Sequence, residues 1–139
     1  VRRDPTFIDS SGWIALIDVS DGLHGRAGDF WRTALEEGRR FLTSDYVLDE
    51  TYTLLRRRRN GLKMASAVHE MVEVSRFVAL AGVDEDLRRQ AWEIFVGYED
   101  KVLSYTDCTS FALMRERKLL EVFSFDGDFE RAGFIVRPA

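Results

Sequence analysis

Four carboxylates, Asp9, Glu50, Asp107 and Asp126, stand where their chemistry could be pooled. Asp9 follows Thr6-Phe7-Ile8, which reads as a short buried strand. It precedes Ser10-Ser11, either of which can cap a helix that begins with Gly12-Trp13-Ile14. A carboxylate at the exit of a core strand is costly unless something positive uses it. In open α/β folds that exit is also where ligands bind. Asp126 ends another apolar run, Glu50 sits in the helix after the second strand, and Asp107 falls in the first turn of the helix before the fourth. In a parallel sheet all four therefore belong at the carboxyl end of the strands. Clustered acids raise one another's pKa. They are tolerable around Mg²⁺ or Mn²⁺, hard ions that prefer oxygen ligands. The usual chemistry of such a site is in-line hydrolysis of a phosphodiester. One cation position activates a water, and a second, if occupied, stabilises the leaving oxygen.

The elements that must position these acids alternate along the chain. A helix over 13–18 ends at Asp18, and Asp18 to His24 is a loop. A helix from about Gly25 to Glu37 puts Ala27, Phe30, Trp31, Ala34 and Leu35 on one face and stops at Gly38. Arg40–Thr43 is the second strand. Ser44 or Asp45 caps a helix from Tyr46 to about Arg59 with Val47, Leu48, Thr51, Leu54 and Leu55 as its core face. At about 100° per residue, Asp49 points away from that face and Glu50 lies at its edge. Of this acidic pair, Glu50 is the one placed to look into a crevice. A helix over Leu62–Ser75, a strand over Arg76–Leu80 and a helix capped by Asp84 follow. Thr106 is a candidate cap for a helix running to about Lys118, where the dipole alone would favour Asp107 in the first turn. Leu120–Phe125 and Phe134–Val136 are the last two strands, the final one at an edge. Strand–helix alternation implies one α/β domain over residues 1–139, with a mainly parallel central sheet and helices on both faces.

Composition removes several alternatives. The chain of 139 residues is 45% hydrophobic and 32% charged, which is the balance of a folded globular domain and not of a disordered segment. No apolar run reaches the roughly 20 residues that span a bilayer. Arg2, Arg3, Asp4 and Pro5 lead straight into the first strand, which is unlike a secretory signal. A single cysteine, Cys108, excludes an internal disulfide and a multi-cysteine zinc site and agrees with a cytoplasmic setting. The net charge of −4 argues against a protein that coats nucleic acid by charge alone, but an acidic cation site would itself lower that sum. His24 and His69 lack spaced partners, and no glycine-rich phosphate loop precedes a helix.

Four stretches in order, Phe-Ile-Asp-Ser-Ser, Thr-Ser-Asp-Tyr-Val-Leu-Asp-Glu, Ser-Tyr-Thr-Asp-Cys and Phe-Ser-Phe-Asp-Gly-Asp-Phe, resemble the PIN-domain ribonucleases. Within that family the chain looks most like the small VapC-type toxins of toxin–antitoxin pairs, from Phe7 to Val136. The family's four acids match Asp9, Glu50, Asp107 and Asp126. Ser124, two residues before the fourth acid, matches a hydroxyl that helps orient a ligand, and Asp128 is a variable extra acid held in reserve. Cys108 departs from the small residue common beside the third acid. The resemblance implies a Mg²⁺- or Mn²⁺-dependent endoribonuclease that acts on RNA, forms a homodimer and is inhibited by a cognate antitoxin protein.

Two other readings compete. A phosphoacceptor receiver domain also gathers acids at the carboxyl end of a parallel sheet, but it needs paired acids after its first strand, where this chain offers Asp9 alone. A PIN-like binding module that no longer cleaves is the third reading, and the presence of all four acids weighs against it. The Arg56-Arg57-Arg58-Arg59 run could grip RNA phosphates, although a solvated helix end explains it more simply. Trp13, Trp31 and Trp92 read as core or dimer interface, with a lesser claim for Trp13 as a base-stacking platform. The helices between Tyr46 and Ser75 carry apolar surface beyond the needs of a small core, which makes them candidates for dimer and antitoxin contacts.

Overall fold

The computed structural model describes residues 3–99 and 101–139, so the expectation placed on Arg2 lies outside the described residues. The elements run β1 (Thr6–Ile8), α1 (Ser10–Ile17), α2 (His24–Glu36), β2 (Phe41–Ser44), α3 (Asp45–Arg56), α4 (Gly61–Val74) and β3 (Val78–Ala81). They continue with α5 (Glu85–Gly97), α6 (Tyr105–Glu116), β4 (Glu121–Phe123), α7 (Gly127–Arg131) and β5 (Ile135–Arg137). Every strand pairing is parallel, in the order β3-β2-β1-β4-β5. Successive strand residues face opposite sides of a sheet, and every residue of β1 and β2 is buried. Both faces of the sheet centre are therefore covered, as a parallel sheet requires. None of the helices is long and apolar enough to cross a membrane among the described residues.

The strand order has a functional consequence. The chain builds outward from β1 to β2 and β3, then returns to the other side of β1 for β4 and β5. The reversal opens a crevice between the carboxyl ends of β1 and β4, where Ile8 pairs with Phe123. Asp9 leaves β1 at this point. A receiver domain has the flavodoxin-like order 2-1-3-4-5, so the topology excludes that reading.

The core behind the crevice is aromatic. Trp31 stacks on Phe41 with ring centroids 4.5 Å apart, and Phe30 meets Phe123 at 4.9 Å. Trp13 is wholly buried, and its indole N–H donates to Thr43 Oγ1 at 3.1 Å. It is core, and its lesser claim as a stacking platform falls.

Four helices, α1, α3, α5 and α6, start by one rule: a side chain at the N-cap accepts from the amide three residues on. Ser44 takes Val47 N–H, Asp84 takes Leu87 N–H and Ser104 takes Asp107 N–H, at 2.9–3.0 Å. Two expected caps are thereby corrected. Ser104 replaces Thr106, and Asp9 replaces Ser10 or Ser11 by accepting from Gly12 N–H at 2.9 Å. α3 also ends earlier than expected, at Arg56, because Asn60 adopts a left-handed φ of 59° and Gly61 folds back on the helix end. A Cβ at Gly61 would lie 2.0 Å from Leu55 O.

Gly12 is the tightest joint between α1 and β4. A Cβ there would lie 2.4 Å from Phe123 O, a backbone atom that cannot rotate away. Gly28, inside α2, has nothing within 4 Å of the same position. Gly12→Ala is therefore expected to destabilise by about 1–3 kcal/mol, as overpacking does. Gly28→Ala is expected to be neutral or to stabilise by up to about 1 kcal/mol through helix propensity. Denaturant midpoints check this, and two shifts of the same size and sign would contradict the packing assigned to Gly12.

Candidate active site

Asp9 is 3% exposed, so its charge needs local donors. Oδ1 accepts from Gly12 N–H at 2.9 Å and from Ser11 Oγ at 2.8 Å, and Oδ2 accepts from Ser124 Oγ at 2.7 Å. Each serine hydroxyl has one proton to give, and both are also acceptors. Ser11 Oγ receives Phe125 N–H at 2.9 Å, and Ser124 Oγ receives Asp126 N–H at 3.0 Å. The end of β1 is thus tied to the segment after β4 by two hydroxyls that relay between backbone and carboxylate. Among the described residues Oδ2 has a single protein donor, which leaves a lone pair for a cation. Burial pushes the Asp9 carboxyl up to about 6, and the three donors and then the nearby Asp126 modify that effect.

Asp107 sits in the first turn of α6 and is only partly exposed. Burial, and then repulsion from Asp126, Asp9 and Glu50, push its carboxyl up to about 7. All four acids chosen from the sequence thus meet in one electrostatic neighbourhood. Glu50 is partly buried and accepts from Ser10 Oγ, whereas Asp49 is exposed, as the helical period requires. Asp126 does not end a strand as expected. β4 stops at Phe123, and Asp126 instead caps α7, accepting from Asp128 N–H at 2.9 Å.

That turn brings in an acid held in reserve. Oxygens of Asp107, Asp126 and Asp128 all lie within 4.8 Å of one another. Lys101 Nζ (3.0 Å) and Arg131 Nη1 both meet Asp128 Oδ1. Its other oxygen has no protein hydrogen bond among the described residues. The Asp-Gly-Asp spacing was visible in the sequence, but its use depends on the five-residue α7. Ser10 and Ser11, first read as caps, prove to be the groups that hold Glu50 and Asp9. Cys108 is buried behind Asp107, where desolvation and then that neighbouring carboxylate push the thiol up to about 11 and keep it inert.

The donor set fits a hard divalent cation. It consists of carboxylate oxygens from four segments, and among the described residues no side-chain cation pairs with Asp9, Glu50, Asp107 or Asp126. An acidic cluster held together against its own repulsion gains most from a bound cation.

The parallel sheet with this order, and acids converging at its reversal point, define a nuclease-type α/β domain, and the chain belongs to the PIN domain family, which matches residues 6–135. It is similar to the 23S rRNA-specific endonuclease VapC20 of Mycobacterium tuberculosis, with 39% identity over 133 residues, 95% of this chain and 98% of that one. The crystal structure of M. tuberculosis VapC20, described as a sarcin–ricin loop cleaving toxin, matches with a TM-score of 0.85. The identity there is 38%, over 94% of this chain and 96% of that one. DNA-bound VapBC from Salmonella typhimurium shares the fold at 16% identity, with a TM-score of 0.69 over 97% of this chain and 98% of that one.

A pH dependence follows from the raised carboxyls. Asp9 and Asp107 bind protons more tightly when folded than at their ordinary value of 3.8. Their contribution to stability is full below about pH 4 and is lost as the pH rises through about 6 and 7. Asp18 is opposite in sense. Hydrogen bonds from Ser20 and then Arg58 lower it to about 2, so its contribution holds above pH 4 and is lost toward pH 2. The denaturant midpoint in EDTA is expected to fall between pH 4 and pH 7. Asp107→Asn is expected to flatten that fall and raise the midpoint at pH 8. A level wild-type profile together with a less stable variant would rule out the electrostatic coupling.

Proposed function

We propose that this protein is a metal-dependent endoribonuclease that cuts 23S rRNA at the sarcin–ricin loop, and that it acts as the toxin of a toxin–antitoxin pair. The observation that carries the reading is the convergence of Asp9, Glu50, Asp107 and Asp126 on one neighbourhood, where burial and then repulsion from the other three acids raise Asp107 to about 7. The substrate is inferred from the VapC20 relative, which matches nearly the whole chain. Asp9, Glu50, Asp107 and Asp126 would hold Mg²⁺ or Mn²⁺, with Asp128 beside Asp107 and Asp126. Such a cation supplies Lewis acidity, activating water for in-line attack on the phosphodiester and offsetting charge on the leaving oxygen.

The protein's own groups prepare that site. Ser124 and Ser11 fix the Asp9 carboxylate, and Ser10 fixes Glu50. Ser104 accepts the first-turn amide of Asp107 and so fixes the start of α6, and its side chain partly offsets the upward push on the Asp107 carboxyl. The reading also includes a homodimer. Exposed apolar side chains on α3 and α4 are scattered, at Leu54, Leu62 and Val74, whereas α5 and the segment after it expose Trp92, Phe95, Val96, Tyr98 and Val102. Trp92 stacks on Phe95 at 5.7 Å. Glu85, Asp86, Arg88, Arg89 and Glu93 surround them with both charge signs, which suits a self-complementary contact about a two-fold axis. Light scattering that finds a monomer would remove the dimer.

Cleavage of 23S rRNA is expected with Mg²⁺ or Mn²⁺ and not with EDTA. Asp9→Asn and Asp107→Asn are expected to abolish it without unfolding the protein. Ser124→Ala, which releases Asp9 without removing a ligand, is expected to cost about 10–100-fold in activity. Primer extension across the cut and circular dichroism of each variant check these outcomes. Full activity in EDTA, or in Asp107→Asn, would discard the metal site.

A further inference from the structure

Arg58 was expected within a solvated helix end, but it lies beyond α3 and turns back toward the α1–α2 loop. Its Nη1 donates to Asp18 Oδ2 at 2.7 Å and to Asp21 Oδ2 at 3.4 Å. Asp18 is 5% exposed and is itself fixed, its Oδ1 accepting from Ser20 N–H at 2.9 Å and Ser20 Oγ at 2.7 Å. The guanidinium is therefore held from one nitrogen. Its Nε and Nη2 have no protein partner among the described residues, and its side chain is 40% exposed. That open edge carries two parallel N–H groups, the geometry that meets a phosphate bidentately.

Arg58 lines a cleft whose wall includes Ser10 and Ser11, the two serines bonded to Glu50 and Asp9. The cleft has a volume of about 200 Å³ and is lined by Ser10, Ser11, Leu54, Arg58 and Phe125, among others. Ser10 holds Glu50, Ser11 holds Asp9, and Phe125 donates its amide to Ser11. A strand of RNA brought to the acids meets a concentration of negative charge and needs a fixed cation beside it. Asp18 and Asp21 restrain Arg58, so little side-chain entropy is lost when it binds. We infer that Arg58 binds a substrate phosphate next to the scissile one, through its Nε and Nη2 edge, and so sets the path of the RNA across the site. This rests on the endoribonuclease reading above.

The test uses a hairpin RNA carrying the sarcin–ricin loop and the cleavage-deficient Asp107→Asn protein in Mg²⁺, with affinity read by fluorescence anisotropy at several salt concentrations. Adding Arg58→Ala is expected to weaken binding by about 10-fold, the scale of a lost hydrogen bond to a charged group. The slope of log affinity against log salt should shrink by about 0.7, one phosphate contact on a single strand. Adding Arg58→Lys keeps a cation for Asp18 and hence the fold, but lacks the paired N–H edge, so the affinity should not recover. Arg56→Ala removes the same charge from an exposed position and should leave both readouts near the parent value. In the otherwise wild-type enzyme, Arg58→Ala should raise KM and largely spare kcat. Equal losses from Arg56→Ala and Arg58→Ala would overturn the contact in favour of general charge. A lower melting temperature with unchanged affinity and slope would overturn it in favour of a purely structural clasp. Failure of the wild-type protein to cleave the hairpin or 23S rRNA would remove the endoribonuclease reading, and the phosphate contact with it.

Discussion

A carboxylate almost fully out of water must remain able to carry charge, and the architecture around β1 answers to that constraint. Asp9 is tolerated because three donors converge on it, a backbone amide and a serine hydroxyl from the helix it caps and a second serine hydroxyl from beyond β4. Those hydroxyls are oriented in turn by amides of Phe125 and Asp126. β1 and β4 must therefore be neighbours, and α1 must start directly at the strand end. The absence of a side chain at Gly12 lets that start sit against the Phe123 carbonyl. Strand order, helix entry and a single glycine all serve one buried charge.

The remaining acids are arranged under a looser rule. Asp107 and Asp126 come from segments whose positions are fixed by their own local bonds, the Ser104 cap and the α7 turn. Among the described residues no side-chain cation pairs with either of them directly. Lys101 and Arg131 are both spent on one oxygen of Asp128. A fold that holds like charges together without neutralising them is poised for an ion, and hydrogen bonds costing little individually keep it so.

Much of this was legible in the sequence, because each strand is a short apolar run and each long helix carries a stripe. The choice of Glu50 over Asp49 needed only the 100° period. The caps were harder. Ser10, Ser11 and Asp9 are all competent, and the decision rests on a partner 114 residues away, since Phe125 N–H claims Ser11. The end of β4 was misjudged because Ser124 and Phe125 continue an apolar-looking run while their polar groups turn toward Asp9 and Ser11. Arg58 was beyond the reach of helical periodicity, because the chain leaves the helix two residues before it and turns through Asn60 and Gly61. Asp128 depended on a helix of five residues, too short to announce itself by pattern.

The double employment of Asp9 and Asp126 as helix caps separates the four acids by how they can be lost in evolution. A substitution at either removes a charge and, unless the newcomer can also cap, unpins a helix. Asp107 and Glu50 start no helix and lie among like charges, so on the proposed reading of the site a lineage under pressure to disarm the protein meets less resistance there. Inactive descendants of such a chain should keep Asp9 as a fossil of the site long after Asp107 or Glu50 has drifted.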